Sequence, residues 1–338
     1  MGAVGTDPGP ADDFSVEGVT ADPSADAGTA AAPVRPLGRL DDARCSVQAL
    51  RRGDVVVATA APAQRWVLIE QPGPWGREAV TESRLEPTLA AELERAAEAA
   101  HLRLLLIRRP GRGASLPHEC FVAHTSRAGR WLERRRLDDP AELLELDMTE
   151  VAAGKRPRFG EAVDEPVYLV CTNGRHDRCC ATYGRPAALA LAASHGELIW
   201  ESSHVGGDRF AGNLVCLPGG HYFGRVGPAE AARVVDRHLA GAIDLDHYRG
   251  CCVDPPVVQA AEWFARTASG LAGVNDLELI GRDRLEGGVQ AVRFAHPGGR
   301  LRVLLRATRT AEPRLLTCHS ARAEPPLGFD LLEVAQAG

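Results

Sequence analysis

The sequence predicts an α/β protein in three globular segments behind an acidic tail. Three observations carry this. A strand–helix–strand pattern spans residues 55–109, a second begins at Pro166, and alternating apolar stretches follow residue 250. With 338 residues, 45% of them hydrophobic, the chain can bury more than one core.

Residues 1–40 hold almost no large apolar side chain. Six acids face two bases there, so this stretch carries −4 of the formal −6. It cannot bury enough surface to offset the entropy of ordering, so a disordered tail is expected. Residues 41–155 read as an α/β domain. Strands are expected at 55–60 and 65–70, followed by the turn Gln71-Pro72-Gly73-Pro74-Trp75-Gly76. Residues 86–100 read as a helix, because Leu89, Leu93, Ala96 and Ala97 recur at spacings of three and four. The nearly all-apolar run 102–109 predicts a strand buried on both faces. Further strands are expected at 119–124 and 130–133, a helix at 140–150, and a linker at 154–160.

Residues 156–248 repeat the α/β rhythm: a strand at 167–171, an Ala-rich helix at 185–194, and strands at 198–201 and 213–217. Pro218-Gly219-Gly220 turns a hairpin into 221–226, and a helix follows over 228–242 with Pro228 in its first turn. Strand, helix, strand, β-hairpin, helix is the order of a thioredoxin-like half-domain. Residues 249–338 read as a small α+β domain with an antiparallel sheet: a helix from Pro255, then strands at 290–294, 301–305 and 314–318. No internal repeat is visible.

Charge narrows the function classes. A formal −6 and a pI near 6.0 argue against a general nucleic-acid binder, which needs a basic stripe to replace counterions on phosphate. The cations are 38 Arg and one Lys, which reads as a coding bias. No apolar run approaches 18 residues, so no membrane span is expected. The first residues lack a basic n-region and an apolar h-region, so a cytoplasmic location is expected. Nine cysteines, an odd count with two adjacent pairs, make a poor disulfide framework. In a reducing compartment they are candidates for metal or redox chemistry, and most read as small buried apolar residues.

Two segments concentrate the chemistry. Cys171 and Cys180 stand at a strand end and at the far end of an eight-residue loop, just before a helix. Soft thiolates gathered by a short loop suit iron–sulfur clusters or zinc, and the spacing differs from the Cys-x-x-Cys of dithiol oxidoreductases. In the second segment His204 follows a strand, Gly206 and Gly207 allow a tight turn, and Asp208 returns a second potential ligand four residues on. A single histidine of this kind reads as structural; two polar loops at strand ends of one domain point together to a site. Elsewhere the signals are weaker. Cys251-Cys252 is poorly arranged for one metal, Cys318-His319 has no partner motif nearby, and Cys45, at the entry to the first domain, has a redox role open to it but reads better as packing. Neither a Gly-x-Ser-x-Gly elbow nor a Gly-x-Gly-x-x-Gly fingerprint is present.

The stretch from Tyr168 to Val226 resembles the sucrase/ferredoxin-like family, a branch of the thioredoxin-like ferredoxins. The matching residues are Cys171-x8-Cys180 with Arg175, Asp177 and Arg178 between them, Ser203-His204-Val205-Gly206-Gly207, Phe210-Ala211-Gly212-Asn213 and Tyr222-Phe223-Gly224-Arg225. Residues 65–76, Tyr248-Arg249-Gly250 and Gln259-Ala260-Ala261-Glu262 are similar as well, so the resemblance runs from about Cys45 to about Glu262. It implies a thioredoxin-like ferredoxin domain between an α/β domain and a small α+β domain. It also implies a 2Fe-2S cluster bound by two Cys and by two His of a His-x-Gly-Gly-His motif. Cys171, Cys180 and His204 carry over, but Asp208 stands where the family has its second His. Three outcomes stay open: Asp208 ligates iron; Cys179, Cys216 or His176 substitutes; or the cluster is lost and the fold kept. An intact cluster with Asp208 is favoured, with Cys216 or Cys179 next. Arg175, Arg178 and Arg209 flank the ligands and can offset cluster charge or contact a partner. The implied function is a one-electron carrier with a redox partner protein, rather than an enzyme with its own substrate. No positioned carboxylate pair supports glycoside chemistry. The alternatives are a zinc or thiol protein using Cys171, Cys180 and His204, and a cluster-free adaptor.

Overall fold

The computed structural model describes residues 44–111, 117–310 and 312–337. The tail expected at 1–40 lies outside them. The chain opens with α1 (Cys45–Arg51), β1 (Arg65–Glu70), α2 (Pro87–Ala99), β2 (Arg103–Arg108), β3 (His118–His124) and β4 (Trp131–Leu137). Then come α3 (Met148–Ala152), β5 (Glu161–Ala162), β6 (Val167–Cys171), α4 (Arg185–His195), β7 (Ile199–Ser202), β8 (Leu214–Leu217) and β9 (His221–Phe223). The last elements are α5 (Ala231–Leu239), β10 (Tyr248–Cys251), α6 (Pro256–Ser269), β11 (Glu278–Arg284), β12 (Val289–His296), β13 (Gly299–Arg309) and β14 (Leu327–Ala337).

The fold is mixed α/β. A ten-stranded sheet runs in the order β10-β9-β8-β6-β7-β2-β1-β3-β4-β5, and a separate antiparallel sheet runs β11-β12-β13-β14. Strands from both sides of residue 155 lie in the same large sheet. Its middle is built twice from one plan. β1 and β2 pair in parallel with α2 between them, and β3 and β4 add an antiparallel hairpin beside β1. β6, α4 and β7, with the β8–β9 hairpin beside β6, repeat that order. The two copies meet through antiparallel pairing of β2 with β7, Ile107 opposite Ser202 and Arg108 opposite Glu201. This repeat lives in the topology and leaves no trace of period in the sequence.

Local chemistry explains the helix ends. Glu86 caps α2 by accepting from the backbone N–H groups of Thr88 and Leu89 at 3.0 and 2.8 Å, with Pro87 at the first helical position. The helix expected over 140–150 is broken in two. Asp139 and Glu142 form a capping box on a 3₁₀ turn, Leu146 is extended, and Asp147 starts α3 with a new cap. α5 begins at Ala231 instead of Pro228, because 228–230 form a turn.

Two expected strands are absent. Residues 55–60 are irregular: Ala58 has φ +60, which interrupts an extended run, and Gln259 takes the backbone groups of Ala60 at 3.1 Å on each side. Residues 314–318 make only an isolated bridge from Arg314 to Glu324, and the Cys318 N–H donates to Asp177 instead of to a ladder.

One core joins the halves of the large sheet, with Trp66, Leu68 and Phe121 from one and Leu169, Trp200 and Val215 from the other. Cys171 and Cys180 belong to that same cluster. The opposite face is covered by α2 on one half and by α4 and α5 on the other. α6 fills a further core against β12 and β13.

Candidate metal centre

β6 delivers Cys171 at its last residue, fully buried, and the loop after it is held by its own polar groups. Asp177 N–H donates to the Asn173 carbonyl at 3.1 Å, and Cys180 N–H donates to the Asp177 carbonyl at 3.1 Å. Cys180 then opens a single π turn, Cys180–Gly184, that leads into α4. Such a turn is a common device for aiming a side chain at a functional site. Gly184 lies against the Cys171 carbonyl so closely that a Cβ there would overlap it. The absence of that Cβ lets helix and strand end approach.

The second arm comes from β7. Ser203 is clamped to β2 in both directions: its N–H donates to the Leu106 carbonyl at 2.8 Å, and its hydroxyl accepts from Leu106 N–H at 3.1 Å. His204 follows, and the chain turns through Gly206 (φ +92) and Gly207 (φ +83), a conformation that side-chain-bearing residues rarely adopt. Buried Arg249 braces the turn. It donates to the Gly206 carbonyl at 2.9 Å, to Asn213 Oδ1 at 2.8 Å and to Thr59 Oγ1 at 3.0 Å, and Asn213 donates to the Gly207 carbonyl at 2.9 Å. Burial pulls the Arg249 pKa down to about 10, still charged at neutral pH. This supporting role of Arg249 was not evident from sequence; its only signal was the Tyr248-Arg249-Gly250 match.

The arms bring candidate ligands together. Cys171, Cys180 and His204 place their ligand atoms within 4.8 Å of one another, as do His176, His204 and Asp208. Cys180 Sγ donates to Asp208 Oδ1 at 3.2 Å. His204 Nδ1 lies 3.1 Å from the same oxygen but off the ring N–H direction, so this buried nitrogen has no hydrogen bond. His176 stacks on His204 with ring centroids 3.7 Å apart and planes at 18°. Cys171, Cys180 and Asp208 are inaccessible, whereas 24% of the His204 side chain is open to a cleft of about 270 Å³.

Charge follows geometry. The Cys180 hydrogen bond holds the Cys171 thiol well below its ordinary value, and the same contact raises Cys180. Burial disfavours the His204 cation, but Asp208 and Cys171 outweigh it and raise this imidazole to about 9. Burial would also raise Asp208, yet His204 holds it low. Two sulfurs, an imidazole and a carboxylate, with one buried ring nitrogen that makes no hydrogen bond, form a donor set that a transition metal accepts.

The remaining sequence candidates fall in different places. Arg209 lines the cleft, its guanidinium 4.7 Å from the Phe210 ring, whereas Arg175 and Arg178 are exposed on the loop. Cys216 lies on β8 in the core beneath α4 and α5, away from the ligands. Cys179 turns from Cys180 toward Cys45 and Cys318. Cys318, which had no partner motif in the sequence, and Cys45, for which packing was preferred over a redox role, thus join Cys179 and Asp177 in a second group with ligand atoms within 4.8 Å. Sequence reasoning could not find this group, because its members are up to 273 residues apart.

The sucrase/ferredoxin-like family model matches residues 56–250. The chain belongs to this family. Neither a curated protein nor a solved structure gives a significant match. The matched span of this sucrase/ferredoxin-like chain contains both arms of the centre, the Arg249 brace and Asp208. Among the described residues, no helix is long and apolar enough to cross a membrane.

Proposed function

We propose that the chain is a one-electron carrier whose 2Fe-2S cluster is held by Cys171, Cys180, His204 and Asp208. The observation that carries the reading is the convergence of two buried cysteines with a partly exposed histidine, in a member of this family. When bound, such a cluster takes up and gives back a single electron. The protein's own residues do the rest. The Cys171 and Cys180 thiolates, buried from solvent, would hold the cluster as soft ligands together with His204 and Asp208. His204 presents the accessible edge, with His176 stacked over it. The strand–helix–strand–hairpin order β6, α4, β7, β8–β9, arranged β9-β8-β6-β7, supports a thioredoxin-like scaffold.

Arg209 beside the cleft and the exposed Arg175 and Arg178 suit docking of an acidic redox protein in the cytoplasm, with a rate that falls as salt rises. Protein purified without oxygen should absorb across the visible and give a rhombic paramagnetic signal on reduction by dithionite. A colourless, iron-free product made with iron supplied would overturn the reading. A second reading, one zinc ion, is favoured by the closeness of Cys171, Cys180 and His204, since tetrahedral zinc accepts Cys, His and Asp together. Metal analysis of the same preparation separates the two.

A further inference from the structure

The second cysteine group has the geometry of a site of its own. Cys45 Sγ lies 3.7 Å from Cys179 Sγ, Cys179 Sγ lies 3.5 Å from Cys318 Sγ, and Cys318 Sγ lies 3.5 Å from Cys45 Sγ. Asp177 Oδ2 is 3.8 Å from Cys45 Sγ. A tetrahedral ion with metal–sulfur bonds of about 2.3 Å places its sulfurs about 3.8 Å apart. Cysteine sulfurs on separate irons of a bridged cluster stand further apart, so a triangle this tight suits one ion. Three sulfurs also cannot all be consumed by disulfides.

Two of the three sulfurs accept hydrogen bonds from their surroundings. Ser46 Oγ donates to Cys179 Sγ at 3.0 Å, and Cys45 N–H donates to Cys318 Sγ at 3.5 Å. Asp177 is oriented in turn by the N–H groups of Cys179 at 2.8 Å and Cys318 at 2.7 Å. Outer contacts of this type fix ligands and tune a metal. Cys45, Asp177 and Cys179 are buried and Cys318 is partly buried, so four protein ligands could close the coordination sphere as in a structural site.

We infer that Cys45, Cys179, Cys318 and Asp177 form a second, mononuclear metal site of the structural zinc class, distinct from the Cys171–Cys180–His204 centre. Binding the ion releases the thiol protons to solvent and changes no oxidation state. The site ties together α1, the loop before the π turn and the segment between β13 and β14. Thr317, next to Cys318, lines the cleft over His204 and Asp208, so the ion would pin that segment beside the first centre. Adjacent residues Cys179 and Cys180 then serve different metals.

The test is zinc and iron content of the full chain, grown with both metals and purified without chelator. The wild type should hold one zinc per chain. Cys45→Ser and Cys318→Ser should each weaken zinc binding at least about ten-fold, the lower end of what outer-contact losses cost, and leave iron unchanged. Cys180→Ser should lose iron and keep zinc. Absence of zinc from the wild type, zinc unaffected by either serine variant, or a disulfide among the three cysteines in unreduced protein would overturn the inference. If the variants fail to fold, X-ray absorption at the zinc edge of the wild type decides. Three sulfurs at about 2.3 Å and one oxygen support the site, and two sulfurs with an imidazole refute it.

Discussion

Replacing Asp208 by histidine exchanges a carboxylate for a neutral imidazole beside His204 and Cys180. In the proposed cluster the carboxylate would favour the oxidised state, because its negative charge adds to the cost of taking up an electron. Asp208→His should therefore raise the reduction potential, on the order of 100 mV by the contrast between neutral- and anionic-ligand clusters. A redox titration that shows no rise contradicts the assignment of Asp208. A second residue-scale prediction concerns a buried chain away from the centre. Tyr168 Oη lies 2.8 Å from His238 Nδ1, and His238 Nε2 lies 2.9 Å from His221 Nδ1. Burial lowers both imidazoles, His238 to about 4. The unfolded chain binds protons at these positions near pH 6.5, the folded chain only near 4 for His238, so stability is full above 6.5 and falls as pH drops through that window. His238 alone should account for about 2 kcal/mol lost between pH 7 and pH 5. Urea unfolding at both values checks this, and His238→Gln should reduce the difference by that amount, leaving the part due to His221.

At the scale of elements, the first arm of the centre rests on a contact that only glycine permits. Gly184→Ala forces a methyl against the Cys171 carbonyl, backbone that cannot move aside. The expected cost is about 1–3 kcal/mol, together with reduced metal loading, because α4 carries Cys180 away from the strand end. Thermal unfolding and metal content measure the two effects. Elements with strong local patterns were legible in the sequence: α2, β6, α4, α6 and β12 formed where period, capping or apolar runs placed them. Residues 55–60 have an equally apolar pattern, but long-range contacts with Gln259 and Arg249 set their conformation. The convergence of Cys171, Cys180, His204 and Asp208 was legible because they come from two compact stretches. The Cys45–Cys179–Cys318 group was not, since folding alone brings its members together.

The whole molecule is organised around the β2–β7 seam, where the repeated halves share one core. Trp200 sits at that seam, packed edge-on against Phe121 with the Arg109 guanidinium 3.6 Å from its ring centroid. Trp200→Ala should cost about 3–5 kcal/mol. Because the core crosses the seam, the large sheet should unfold in one calorimetric transition, and two separable transitions for its halves would contradict this. The candidate centre belongs to the same cooperative unit, since Cys171 and Cys180 lie in the shared core. The claim on which the functional account depends is that these cysteines hold iron and sulfide. Iron and acid-labile sulfide should therefore be measured in wild type and Cys180→Ser, both prepared without oxygen. Two of each per chain, lost in the variant, is the predicted result. An iron-free wild type, or iron that survives loss of Cys180, contradicts it.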